Sequence, residues 1–143
     1  MKKLKLVVVL FLLFSCNNKE EKVFDNSLLL GNWVSLSNDT YQEYYFNDSS
    51  IYIYDPYSGN TLQYRYILKN DSILRYFVHP ELKNQEYEFY SRAVKFDSNQ
   101  INLKNKTLYR LRDTNTLEMF INKKIDSKVY YLSCDERESI IRQ

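Results

Sequence analysis

Residues 62–69 read Leu62-Gln63-Tyr64-Arg65-Tyr66-Ile67-Leu68-Lys69, so apolar or aromatic side chains at even positions alternate with mainly polar ones. Successive side chains of a β-strand point to opposite faces, and a period of two is typical of a strand with one buried face. We therefore predict that Tyr64 and Tyr66 lie together on the concave, inward face of a sheet.

Shorter runs with the same period continue on both sides of this segment. Strands are predicted near residues 32–37, 40–47, 50–55, 61–69, 72–78, 85–95, 99–104 and 106–112, with weaker candidates at 116–123 and 128–134. Asn and Asp are frequent between these runs, and both residues tolerate the left-handed backbone of tight turns. Strands spaced by about 8–12 residues indicate an all-β fold, either an antiparallel up-and-down β-barrel or a barrel-like sandwich of about 8–10 strands.

Two short helical segments are expected beside these strands. Residues 27–30 suit a single helical turn before the first strand. Asp135 is followed three residues later by Glu138, a spacing close to a capping box, which predicts a short C-terminal helix.

The strand after residues 62–69 has a matching pattern. Leu74, Tyr76 and Val78 alternate with the residues between them, and we expect these three on the concave face beside Tyr64 and Tyr66. The chain has 14 tyrosines, and buried hydroxyls need partners that phenylalanine would not. Tyr64, Tyr66 and Tyr76 are therefore the candidate ligand-binding residues. The alternative is that their hydroxyls reach solvent at a barrel rim.

The start of the first strand resembles a known motif. Leu30-Gly31-Asn32-Trp33 is similar to the Gly-x-Trp that opens the first strand of lipocalins and related barrels, and a strand ending Tyr45-Phe46 and an Asn-Asp turn follow it. In this the chain resembles the small lipocalin-like lipoproteins of Bacteroidota-type bacteria. The resemblance covers residues 28–112. The later lipocalin motifs are missing, and residues 113–143 exceed the eight-strand count, so an open sandwich stays an alternative.

This resemblance implies a structural role for three residues. Gly31 permits the sharp bend of the first strand, and Trp33 fills one end of the barrel. In lipocalins an arginine from a late strand lies on that tryptophan, a cation–π contact for which Arg110 is preferred here over Arg112. The resemblance also implies that the barrel binds a small apolar or amphipathic molecule.

The N-terminus has the pattern of an export signal. Three lysines precede nine apolar residues at 6–14, which rise only about 14 Å as a helix and cannot cross a hydrocarbon core of about 30 Å. Leu13-Phe14-Ser15-Cys16 resembles a lipobox, in which cleavage precedes a cysteine that receives lipid. We thus predict a signal peptide at 1–15, a lipidated polar tether at 16–26 and one domain at 27–143. An ordinary secretory signal with an incidental cysteine is the alternative.

The predicted localisation follows from that cysteine. Lipid on Cys16 would anchor the protein to the bacterial outer membrane, since several acyl chains on one residue give stable anchoring. Lys19-Glu20-Glu21 resembles a surface-export tag of Bacteroidota lipoproteins, which would place the domain on the cell surface; the alternative is a plain charged tether.

The charge composition argues against a nucleic-acid partner. Three of the 20 basic residues lie in residues 1–15, which leaves 17 against 18 acidic residues and a charge near −1. No basic block remains, so we expect no nucleic-acid partner. With Cys16 lipidated, Cys134 has no disulfide partner, and we interpret it as a half-buried residue near the end of a strand.

The motifs of enzymes and metal sites are missing from the sequence. His79 is the only histidine, in a predicted loop, and glycine occurs only at 31 and 59, which rules out a glycine-rich phosphate loop. Glu86 and Glu88 fall on one face of a predicted strand, which we interpret as its solvent face. We expect no catalytic residues, metal site or cofactor.

Two classes of function remain open. One is a module that binds a small apolar or amphipathic ligand, and the other is a protein-interaction module such as an inhibitor or immunity lipoprotein. A cavity of at least roughly 300 Å³ would favour the first. A filled barrel with an exposed aromatic patch would favour the second.

Overall fold

The computed structural model describes residues 25–37, 40–83 and 85–142. Eight antiparallel strands follow one another around a closed barrel, and the last strand pairs with the first. The strands are β1 (Gly31–Ser37), β2 (Thr40–Phe46), β3 (Ser50–Asp55), β4 (Asn60–Lys69), β5 (Ser72–Phe77), β6 (Glu88–Phe96), β7 (Gln100–Leu103) and β8 (Lys106–Arg110). The predicted up-and-down barrel is confirmed.

In the described part of the chain, three helical segments accompany the barrel. They are a 3-10 turn (Asn26–Leu28), helix α1 (Leu117–Ile121) and helix α2 (Ser127–Ile141). The predicted C-terminal helix is confirmed and is longer than the capping box suggested. None of the helices in the described part of the chain is long and apolar enough to span a membrane.

The two weaker strand predictions, at 116–123 and 128–134, were wrong, because both segments are mainly helical. Closure of β8 onto β1 leaves no sheet edge for further strands. Asp126 caps α2 by accepting a hydrogen bond from the Val129 amide, and Tyr130, Cys134 and Arg137 are buried at a helical spacing of four and three. Cys134 therefore lies in a helix, fully buried, and not at the end of a strand.

The predicted facing of the fifth strand was also wrong. Tyr64 pairs with Phe77 and Tyr66 with Arg75, so Arg75 and Phe77 share the inward face with the β4 tyrosines. Tyr76 lies on the outward face. The two-residue turn between β4 and β5, with Asn70 at φ 57°, fixes this register. A one-residue difference in register reverses the facing of every side chain.

The acidic pair of the sequence does not share a strand. Glu88 begins β6, whereas Glu86 lies in the loop before it. Both side chains are exposed, so the strand placement of Glu86 was wrong although both residues are at the surface.

One end of the barrel, here named the closed end, is built around Trp33. Its side chain is fully buried beside Leu29, and its indole nitrogen donates to the Leu29 carbonyl at 2.8 Å. The Arg110 guanidinium lies 3.8 Å from the Trp33 ring centroid and donates to the carbonyls of Leu28 and Leu30. Gly31 adopts φ +108°, and a Cβ there would lie 2.7 Å from the Arg110 side chain. Only glycine fits this approach.

The two C-terminal helices cover the outer face of β1, β2 and β3. This second core combines apolar residues with one buried ion pair between Glu43 of β2 and Arg137 of α2, whose Nη2 lies 2.8 Å from Glu43 Oε1. Tyr41 and Tyr130 also donate to the Glu43 carboxylate, at 2.6 and 2.9 Å. Every charge in this cluster has a partner, which fixes α2 on the barrel.

Candidate functional site

The inward-facing side chains differ between the two ends of the barrel. Near the closed end they are apolar and fully buried, with Ile51, Ile73 and Leu108 at 0% exposure. At the opposite end, here named the open end, the inward face of β4 reaches solvent, since Leu62 is 39% exposed although Tyr66 further along the same face is 7% exposed. The interior of the barrel is therefore apolar and fully buried at the closed end and partly exposed at the open end.

Arg75 lies on the inward face of the open half of the barrel, between two aromatic rings. The carbon of its guanidinium is 3.9 Å from the Tyr64 ring centroid and 3.7 Å from that of Tyr90. Stacking on both faces is a favourable cation–π arrangement and fixes the plane of the group. Phe77 extends this aromatic wall toward the rim, with its ring centroid 5.5 Å from that of Tyr64.

A second cation, Lys106 of β8, lies on the inward face of the same half of the barrel. Its Nζ donates to Tyr44 Oη at 2.8 Å and to Gln42 Oε1 at 3.3 Å. Burial and then the positive charge of Arg75 lower the pKa of Lys106 below its usual value. The two cations therefore act on each other across the open half of the barrel.

Two tyrosines beside these cations, Tyr44 and Tyr90, remain neutral at physiological pH. Burial, followed by the neighbouring Tyr90, raises the pKa of Tyr44 well above its usual value. Burial also raises the pKa of Tyr90. Their hydroxyls are therefore hydrogen-bond donors and acceptors, and they add no negative charge to balance Arg75 and Lys106.

Unsatisfied polar atoms are concentrated at this same end. Among the described residues, the buried side-chain nitrogens and oxygens without a hydrogen-bond partner belong to Ser35, Arg75 and Gln85. Ser35 lies opposite Gln42 on the inward face of the barrel, and Gln85 lies in the loop that joins β5 to β6 at the rim. Each such group costs about 1–3 kcal/mol unless a group outside the chain supplies its partner.

A pocket of about 210 Å³ lies beside the rim. It is lined by Tyr76, Val78, His79, Leu82 and Gln85. The His79 ring is 5.9 Å from that of Phe77, which connects the pocket residues to the aromatic wall inside the barrel. Its volume is below the roughly 300 Å³ expected of a cavity that binds a small ligand, so this pocket alone does not favour ligand binding over protein interaction.

The structure separates the three tyrosines that the sequence singled out. Tyr64 contacts Arg75 in the open half, whereas the Tyr66 hydroxyl donates to the Asn47 carbonyl at 2.8 Å and is satisfied within the chain. Tyr76 faces outward and lines the rim pocket, with its ring 4.9 Å from that of Tyr87.

Sequence reasoning missed both cations of the site. The sequence pattern assigned Arg75 to the outer face of its strand, whereas the observed register places it on the inward face. Lys106 stood at the start of a strand, where a lysine ordinarily reaches solvent. Its inward position could have been inferred from Leu108, because residues two apart on a strand share a face.

Comparisons with known proteins add no family to this description. No protein-family model matches the chain, and no curated protein or solved structure matches it. The closed eight-stranded up-and-down barrel with its C-terminal helix is consistent with a lipocalin-like fold. Cys16, the predicted lipidation site, and Lys19-Glu20-Glu21 lie outside the described residues.

Proposed function

We propose that this protein is a non-enzymatic, membrane-anchored lipoprotein whose barrel binds a small amphipathic molecule at its open end. The observation that supports this most strongly is the position of the unsatisfied polar atoms. The buried, unpartnered atoms of Ser35, Arg75 and Gln85 all lie in the open half or at its rim, whereas the interior of the closed end is apolar.

The arrangement suits a molecule with one polar and one apolar part. The polar part would meet the hydrogen-bonding groups of Arg75, Lys106 and the tyrosines. The apolar part would pack against partly exposed apolar side chains at the same end, such as Leu62 and Phe77. Such a division of polar and apolar lining is common in small-molecule sites.

Native mass spectrometry of gently extracted protein tests this proposal. We expect a small molecule to co-purify with the wild type and to be lost from Tyr64→Trp, in which the larger ring fills the open half beside Arg75. Tyr109→Trp is the matched control, because Tyr109 is 52% exposed. Retention of the molecule by Tyr64→Trp, or its absence from wild-type protein, would contradict binding at this site.

The proposed anchor has its own test. The mature protein should partition into detergent, and Cys16→Ala should release it or stall its processing, whereas Cys134→Ala should leave partitioning unchanged. An unmodified Cys16 in the intact mass of membrane-extracted protein would refute the anchor.

Surface display is tested separately from lipidation. Replacing Lys19, Glu20 and Glu21 with alanine should reduce protease accessibility on whole cells without reducing the amount of lipoprotein. Unchanged accessibility would identify the triplet as a plain tether.

A protein-interaction module is the second candidate, and one observation favours it. Tyr87 and Phe89 are 42% and 60% exposed on the outer side of the barrel, and Tyr87 contacts Tyr76. Exposed aromatic side chains suit protein interfaces. A stoichiometric protein partner that is lost from Phe89→Ser, with no small molecule present, would support this candidate over ligand binding.

A further inference from the structure

We propose that the polar part of the ligand is an anion, a carboxylate or a phosphate monoester, held by Arg75 and Lys106. This inference rests on the proposed binding function and specifies the chemistry of its ligand. It follows from the charge, the geometry and the hydrogen bonding of the two cations.

Neither of the two cations described in the open half forms an ion pair; the carboxylate of Glu88, which lies opposite Arg75 in the β5–β6 pairing, is exposed and is not within ion-pair distance of it. Among the described residues, no ion pair joins Arg75 or Lys106 to a carboxylate, although the buried Arg137 is paired with Glu43 and Asp113. Two partly buried positive charges that act on each other disfavour one another. An anion between them would relieve that repulsion, whereas a neutral ligand would leave it and a cation would increase it.

The orientation of Arg75 selects the kind of group it can bind. Tyr64 and Tyr90 occupy the two faces of the guanidinium, so only its edge is available for hydrogen bonds. That edge includes Nη1, which is buried and has no partner among the described residues. The N–H groups along an arginine edge match the oxygens of a carboxylate or phosphate.

Lys106 supplies a further donor. An ammonium group has three N–H donors, and the hydrogen bonds to Tyr44 and Gln42 use two of them. The Tyr44 hydroxyl is itself committed, since it donates to Gln42 Oε1 at 2.7 Å and accepts from Lys106. The third donor of Lys106 and the edge of Arg75 are therefore the groups left for an anion.

Octanoate, octyl phosphate and octanol distinguish an anionic head group from a neutral one at constant chain length. We would titrate each into the full mature lipoprotein anchored in nanodiscs by calorimetry, with empty nanodiscs subtracted to remove partitioning into lipid. At least one anionic probe should bind about tenfold or more tightly than octanol, as expected for charge-assisted hydrogen bonds. The tighter of the two anionic probes identifies carboxylate or phosphate as the preferred group.

Variants at Lys106 connect that preference to the site. Lys106→Met should weaken binding of the preferred anion about tenfold and leave octanol unchanged, whereas Lys106→Arg should retain the preference. Lys104→Gln is the matched control, because Lys104 is an exposed lysine in the turn of the same hairpin. Circular dichroism would show that each variant is folded.

The outcomes separate the two proposals. If octanol binds as tightly as both anions and Lys106→Met changes nothing, the anion inference is refuted while the binding function stands. If none of the probes binds, the proposed function fails and this inference fails with it.

Discussion

Two arginines of this barrel pack against tyrosines, and they differ in what balances their charge. Arg137 lies under helix α2, where its Nε and Nη2 are 2.9 and 2.8 Å from Glu43 Oε1 and its Nη1 is 3.1 Å from Asp113. Arg75 lies inside the barrel on two tyrosine rings, with an unpartnered nitrogen. A buried cation whose partners are all internal stabilises the fold, whereas one that lacks an internal partner at an opening can bind an external group.

The cluster beneath α2 is organised around a fully buried carboxylate. Glu43 is 0% exposed and receives hydrogen bonds from Tyr41, Tyr130 and Arg137. Burial alone would lower the pKa of Arg137, but the charge and hydrogen bonds of Glu43 raise it above its usual value. Removal of either charged residue would therefore leave the other as a buried charge without its counter-charge.

The largest predicted effect is the loss of Arg137. Arg137→Met would leave Glu43 buried without its cation, and removing one partner of a buried pair typically costs about 3–5 kcal/mol. Arg75→Met should cost less than about 2 kcal/mol, because it removes a contact with two rings but also an unsatisfied nitrogen and a repulsion with Lys106. Urea denaturation of both variants gives the two free energies of unfolding.

This comparison has a clear contrary result. If Arg75→Met destabilised the protein as much as Arg137→Met, Arg75 would be a structural residue and the distinction between the two clusters would fail. Arg65→Met is a suitable control, since Arg65 is an exposed arginine on the outer side of the adjacent strand β4.

The second effect appears at alkaline pH. Burial and then the negative charge of Glu43 raise the pKa of Tyr41 and of Tyr130 well above 10. Above pH 10 the unfolded chain releases these protons and the folded chain keeps them, so stability is lost as pH rises. Each such tyrosine contributes a loss of about 1.4 kcal/mol per pH unit.

Phenylalanine variants distinguish a tyrosine of the cluster beneath α2 from a tyrosine inside the barrel in this experiment. Tyr130→Phe should reduce the slope of unfolding free energy against pH by one proton throughout the alkaline range. Burial and then the charge of Asp48 raise the pKa of Tyr66 to about 12, so Tyr66→Phe should reduce the slope only between about pH 10 and 12. A free energy of unfolding that stays constant from pH 10 to 11 in the wild type would contradict both expectations.

The fold was predictable from the sequence where one face of a strand was clearly apolar. The alternation in residues 62–69 predicted the facing of β4 correctly, because its other face is mainly polar. In β5 both alternating sets contain apolar residues, so periodicity could not choose between them and the turn at Asn70 decided the register. The segment 128–134 is also apolar on alternate residues, but the closed barrel offers it no free edge and the cap at Asp126 starts a helix there.

The two charge clusters were hidden for a related reason. Glu43 and Arg137 are 94 residues apart in the sequence, and nothing local in either segment signals the partner. Arg75 and Lys106 look like surface cations until the register places both inside. Periodic burial is visible within one segment of sequence, whereas the pairing of distant charges becomes visible only in the tertiary fold.

The smallest predicted effect concerns Lys106, whose pKa is lowered by burial and then by Arg75. Below the folded-state pKa both the folded and unfolded chains are protonated, and the unfavourable buried charge destabilises the fold fully. Between that pKa and the unfolded value near 10.5, only the unfolded chain keeps the proton, so this residue makes stability rise with pH.

We therefore expect Lys106→Met to be more stable than wild type at neutral pH, by an amount that shrinks toward alkaline pH, whereas Lys104→Gln shows no such trend. A bound anion favours the charged lysine, so saturating octanoate or octyl phosphate, whichever binds more tightly, should reduce or reverse the advantage of Lys106→Met. An advantage unaffected by the ligand would mean that Lys106, like Arg137, serves only the barrel.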